Sequence, residues 1–203
     1  MLLSSHSSYY YERQAENKIG KAVSSVYEFI EMSVLALVSV LMLFSLIISG
    51  TKVSGMSMYP TFSNDDRLLA VPIYGRINRG DIVLFERHAG IVSDINIADE
   101  GKTLVKRVIA IEGDTIDIDF TSGTVYLNGA VLDEPYIYEL TTRVSLTPTE
   151  FPLTVEKGHI FVMGDNRNNS DDSRNISIGQ VDVRYISKRV IARFWPTDKF
   201  KLL

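Results

Sequence analysis

Hydrophobic and polar positions divide the chain of 203 residues into two unlike parts. From Ser33 to Ser49 runs an uncharged stretch, Ser-Val-Leu-Ala-Leu-Val-Ser-Val-Leu-Met-Leu-Phe-Ser-Leu-Ile-Ile-Ser. As a helix it spans about 26 Å, and extension back across Glu31 to Phe29 gives enough length to cross a bilayer. A core helix of a soluble domain would need the polar face that this run lacks. A cleaved leader fits less well, because the apolar core is long and the nearest small-residue exit is Ile48-Ser49-Gly50. Residues 27–50 are therefore expected to form a single transmembrane helix. Beyond residue 50 the period changes to two. Alternating or β-branched runs cover 67–73, 81–85, 103–111, 115–120, 124–127, 130–132, 159–163 and 186–194, separated by turn residues such as Arg79-Gly80-Asp81, Glu112-Gly113-Asp114 and Ser122-Gly123. Asn128-Gly129 predicts a two-residue hairpin turn, because that pair readily supplies the positive φ angles the turn needs. The expected fold class is mainly β, an N-terminal transmembrane helix followed by antiparallel β-sheet.

Composition narrows the chemistry. A hydrophobic fraction of 45% with 23% charged residues is that of a chain that folds around a core. Twenty-one basic against 25 acidic residues leave a net charge of −4, which gives no electrostatic footprint for nucleic acid. There are no cysteines, so disulfides, thiolate metal sites and cysteine nucleophiles are excluded. Of the three histidines, His6 lies in a polar Ser/Tyr-rich tail, His88 in a turn and His159 at a strand start, the settings of surface residues rather than of a catalytic base. Asp65-Asp66 and Asp171-Asp172 sit among turn formers, where solvated charge explains them. No metal and no cofactor are expected. Residues 1–26 form a tail expected to be mobile and, by its Arg13, Lys18 and Lys21 against the single Lys52 just past the span, cytoplasmic; residues 51–203 then lie outside.

Three places break the pattern. Ser57 stands in Ser54-Gly55-Met56-Ser57-Met58-Tyr59-Pro60-Thr61, on a bend that glycine frees and proline fixes; alone, this is a turn. Lys106 and Arg107 interrupt the apolar strand 104–111, and alternation sends one of the two charges where apolar neighbours point. Taken alone, an edge strand or a snorkelling side chain is the better explanation of that. A lysine, unlike an arginine, can be made neutral by burial, so Lys106 is the better candidate for a base. The third is Gly164-Asp165-Asn166-Arg167-Asn168-Asn169-Ser170-Asp171-Asp172-Ser173-Arg174, too rich in hydrogen-bonding side chains for a plain turn.

Together these blocks resemble bacterial type I signal peptidases, serine–lysine membrane proteases that remove signal peptides from exported proteins. The match is carried by residues 55–61, Arg79 to Phe85, Lys106 to Asp114 and Gly164 to Arg174, in the family's order, after an anchor. The resemblance implies Ser57 as nucleophile and Lys106 as general base. It implies Ser170 as a serine that hydrogen-bonds and orients the lysine, and Asp172 with Arg174 as an ion pair bracing the loop. Gly164, Asp165, Asn166 and Arg167 match structural positions of that block. Gly55 stands where some relatives place a serine hydroxyl for the oxyanion, which leaves the second oxyanion donor unassigned. The implied activity is endopeptidase cleavage after small residues of the Ala-x-Ala type, with Val53, Gly55, Met58, Phe62, Leu104 and Val105 as walls of the substrate pockets. The implied domains are a catalytic β core over 51–112 and 155–203, with an inserted β subdomain over 113–154. Its partners would be signal peptides of secreted preproteins, cytoplasmic membrane lipid and the protein-export machinery. Two other classes stay open: an anchored β-domain that binds without catalysis, and a self-cleaving serine–lysine repressor, for which residues 1–50 supply no DNA-binding module.

Overall fold

The computed structural model describes residue 21 and residues 23–42, 49–86 and 102–203. The first described unit is a helix, α1 (Val23–Met42), exposed along its length and long and apolar enough to cross a membrane. Two of its serine hydroxyls are satisfied within the helix: Ser33 and Ser39 each donate to the carbonyl one turn back, Phe29 O and Leu35 O, both at 2.8 Å. Such back-bonding is what an apolar solvent demands of a hydroxyl. The helix starts earlier than the expected residue 27. At the other end, Ser49 and Gly50 do not belong to a helix but to the first strand, where Ser49 to Lys52 pair with Ala70 to Arg67. Sheet pairing claims these residues because they alternate in burial, which the uncharged run before them conceals.

Among the described residues, the second unit holds twelve strands in two antiparallel sheets. The large sheet takes β1 (Ser49–Lys52), β2 (Arg67–Val71), β3 (Ile82–Glu86), β4 (Thr103–Ile111), β9 (His159–Met163), β10 (Val181–Asp182), β11 (Ile186–Trp195) and β12 (Lys201–Leu202), in the order β1-β2-β11-β3-β4-β9-β10 with β12 beside β11. The small sheet is built wholly within 115–154, from β5 (Thr115–Asp119), β6 (Thr124–Leu127), β7 (Ala130–Val131) and β8 (Leu153–Thr154), ordered β7-β6-β5-β8. Asn128 and Gly129 turn between β6 and β7 with φ of 54° and 81°. Strand β3 is buried on both faces: Ile82 and Leu84 join a cluster with Val53, Met58, Phe62, Leu68 and Val190, whereas Val83 and Phe85 join Val108, Ile160, Val162 and Ile186. Ile109 on β4 and Phe161 and Met163 on β9 meet Ile116, Ile118 and Val125 of the small sheet, so the two sheets share one apolar seam. Asp114 pins that junction, accepting hydrogen bonds from Arg79 and from Asn128 Nδ2.

Candidate active site

Ser57 is carried by the loop between β1 and β2. Gly55 takes φ of +92°, a region that β-carbons disfavour, and its N–H donates to Asn64 Oδ1 at 2.8 Å. Met58 and Phe62, 1% and 0% exposed, sink the next turn into the core, and Phe62 N–H donates to Met58 O. The burial of these two anchors leaves Ser57 half-exposed at the rim of a cleft.

Lys106 sits in β4 opposite Val83 of β3, one residue before the pairing of β4 with β9 begins at Arg107. With Val105 before it and Val83 across from it, it is 3% exposed, yet its Nζ donates to Ser57 Oγ at 2.9 Å. Burial lowers the Lys106 pKa from the ordinary lysine value of 10.5 to about 8, although the charges of Asp172 and Asp171 pull the other way. At that value about one amine in ten is neutral at pH 7, far more than for an unshifted lysine.

The loop after β9 holds Ser57 from behind. Asn166 N–H donates to Ser57 O at 3.0 Å, and Asn166 Nδ2 donates to Met56 O at 3.1 Å. Gly164 is packed between Ser57 O and the Ser170 side chain, where a Cβ would overlap both. Asp165 is fully buried and takes a two-pronged contact from Arg107 Nε and Nη2 at 2.8 and 2.7 Å, with Thr61 Oγ1 as a further donor. The Arg107 guanidinium lies 4.1 Å from the Tyr136 ring centroid. Arg167, also buried, donates to Gly164 O, Thr141 Oγ1 and Glu134 Oε1. Asp172 accepts from Arg174 Nε and Nη2 and from Gly164 N–H, all within 2.9 Å. Burial pushes the Asp172 carboxyl up, but the Arg174 charge and hydrogen bonds prevail and hold it below the usual carboxylate range. Buried ions of this kind are tolerable only when fully paired, and here each guanidinium and carboxylate has its counterpart.

The cleft beside Ser57 and Lys106 has a volume of 490 Å³. Val53, Gly55, Met58, Leu104 and Val105 line it, together with Leu84, Asn169 and Asp171. Phe62 does not: its side chain is wholly inside the core beneath Met58. A large aromatic next to the site read as a wall because sequence gives no depth along a turn. The hydrogen bond from Ser170 to Lys106 is not formed in this structure; Ser170 Oγ is buried, close enough to Asp172 to help hold that carboxylate ionised. His159 Nδ1 donates to Lys157 O at the start of β9, and His88 lies outside the described residues. Asp65 pairs with Lys52 at 2.8 Å and Asp66 with Arg193 at 3.1 Å, so this acidic pair is structural. Thr61, Glu134 and Tyr136 join the site without any local sequence signal, and Arg107 joins it as the partner of Asp165. The available signal was charge balance, since Asp165 and Arg167 in one loop each require a partner from elsewhere.

A half-exposed serine held against a buried, readily neutralised lysine in a cleft is the equipment of a hydrolase that works by nucleophilic attack. A family model described as signal peptidase, peptidase S26, matches residues 26–195, and the chain belongs to that family and is a peptidase. "Signal peptidase I" of Bacillus licheniformis is 31% identical over 194 residues, covering 92% of this chain and 97% of the relative. "Signal peptidase I S" of Bacillus subtilis is 35% identical over 186 residues, covering 87% and 93%. Among solved structures, a signal peptidase I from Enterococcus faecalis is 29% identical with a TM-score of 0.42, covering 58% of this chain and 98% of that one.

Proposed function

We propose that the chain is a membrane-anchored serine endopeptidase that removes N-terminal signal peptides from exported preproteins, cutting after small residues in an Ala-x-Ala pattern. The observation that carries this reading is the 2.9 Å contact between Lys106 Nζ and Ser57 Oγ, with the amine buried and the serine at the cleft. Neutral Lys106 accepts the Ser57 proton as Oγ attacks the scissile carbonyl. Lys106 then gives that proton to the departing amine as the peptide C–N bond breaks, which leaves an acyl ester on Ser57. Lys106, neutral again, takes a proton from water as the water oxygen attacks the ester carbonyl, and returns it to Ser57 Oγ as the acyl–Oγ bond breaks; the signal peptide leaves as an acid that ionises to its carboxylate. The Ser57 N–H is the first oxyanion donor in this scheme. Gly55 N–H is engaged by Asn64 and does not serve as the second.

Val53, Met58, Leu104 and Val105 supply apolar walls that accept methyl-sized side chains and exclude larger ones. Asp172–Arg174, Asp165–Arg107 and Arg167 fix the loop that holds Ser57, and Ser170 packs against that loop beside Gly164. The basic residues Arg13, Lys18 and Lys21 before α1 favour a cytoplasmic N-terminus with the β unit outside, which would bring the protein into contact with membrane lipid and the export machinery. The test is cleavage of a preprotein carrying an Ala-x-Ala site by purified protein in detergent, with the cut mapped by mass. Wild type is expected to cut after the second alanine, and Ser57→Ala to leave the preprotein whole. Cleavage by Ser57→Ala at the wild-type rate would overturn the reading.

A further inference from the structure

Beyond Ser57 the cleft does not end. Asn169 and Asp171 line both the cleft beside Ser57 and a second hollow of 340 Å³, whose other wall includes Arg143, Ser145 and Leu146. The hollow lies between two fastenings. At one end Asn168 Oδ1 accepts from the N–H groups of Thr142 and Arg143, at 3.1 and 2.9 Å, while Asn168 Nδ2 donates to Leu140 O. At the other, Thr147 Oγ1 donates to Asn175 Oδ1 at 2.6 Å and Ile176 N–H to Thr147 O. Segment 143–146 is thus tied at both ends to the loop that braces the nucleophile, and the gap between them is a formed feature.

What the gap displays is unusual for a plain surface. Leu146, which lines it, is 99% exposed, an apolar side chain with almost no packing of its own. Arg143 is exposed, and among the described residues its guanidinium hydrogen-bonds a neutral carbonyl, Asn168 O, rather than a carboxylate.

We propose that this second hollow receives the first residues of the mature protein, on the far side of the scissile bond, and that Arg143 favours an acidic side chain there. The proposal rests on the signal-peptidase reading above. The apolar walls suited to the small residues before the cut, Val53, Leu104 and Val105, all lie in the first cleft. The chain leaving Ser57 past Asn169 and Asp171 must therefore be the mature side. An extended peptide carries its side chains alternately, so one faces the Arg143–Leu146 wall while its neighbours face solvent.

Two preproteins with one Ala-x-Ala site test this, one carrying glutamate and the other lysine at the second to fourth mature positions. Wild type should show a kcat/KM about threefold to fivefold higher for the glutamate substrate, the range expected of an exposed ion pair. Arg143→Glu should reverse that preference, Arg143→Lys should keep it, and Leu146→Asp should lower kcat/KM for both while keeping its direction. An unchanged ratio in Arg143→Glu, or an equal loss on both substrates, would overturn the proposal and leave the signal-peptidase reading standing. Failure of wild type to cut either substrate would overturn both.

Discussion

Burying the Lys106 amine costs the fold stability. An amine whose pKa falls from 10.5 to about 8 on folding binds fewer protons folded than unfolded across that interval. Stability therefore rises as pH climbs from 8 to 10.5, and below pH 8 the full penalty stands, about 3 kcal/mol. Lys106→Met keeps the length of the stem and removes the charge. It should unfold at a higher temperature than wild type at pH 7, with the gain shrinking towards pH 10.5. Thermal unfolding of both proteins across that range checks this; a variant no more stable than wild type at pH 7 would mean that the amine is not held at a cost. Such a site was legible only as an oddity, because neither Lys106 nor Arg107 alone reveals which charge is buried. The two part by their partners: Arg107 meets Asp165, whereas the hydrogen bond of Lys106 is to the neutral Ser57 hydroxyl.

At the scale of elements, the site is where β4 parts from β9. The strand pairing ends at Arg107–Met163, and the chain leaving β9 turns through Gly164 towards Ser57. Gly164 matters for its missing side chain rather than for its φ, since a Cβ would strike Ser57 O and Ser170. Gly164→Ala should push the nucleophile loop away and lower kcat by about 100-fold, the order expected when reacting groups are misplaced by an ångström. Far-UV circular dichroism should stay that of wild type. Full activity in this variant would show that the loop does not position Ser57. Long strands were plain from alternation: 103–111 and 159–163 stand where the sequence puts them. β8, β10 and β12 have two residues each, too few to show a period, and β1 was absorbed into the apolar run before it. The bracing network was half legible. Its loop advertised itself by composition, but the residues that complete it come from distant segments, and no local pattern predicts that Glu134 or Tyr136 will meet Arg167 or Arg107.

The whole β unit consists of a large sheet that carries the reactive pair and a small one that completes the bracing. Glu134, Tyr136 and Thr141, from the segment between β7 and β8, reach the loop after β9, so the small sheet contributes to the site without lining the cleft beside Ser57. Asp114 keeps the two sheets in register. Burial would push its carboxyl up, yet hydrogen bonds from Arg79 and Asn128 hold it at about 2. The proposal that Ser57 and Lys106 act as a single catalytic unit is tested most directly by a double-mutant cycle on kcat/KM with an Ala-x-Ala preprotein, using wild type, Ser57→Ala, Lys106→Met and the pair. Each single change should cost on the order of 1000-fold or more, and the double variant should lose no more than either one alone. Losses that multiply, or substantial cleavage by Lys106→Met, would contradict the account.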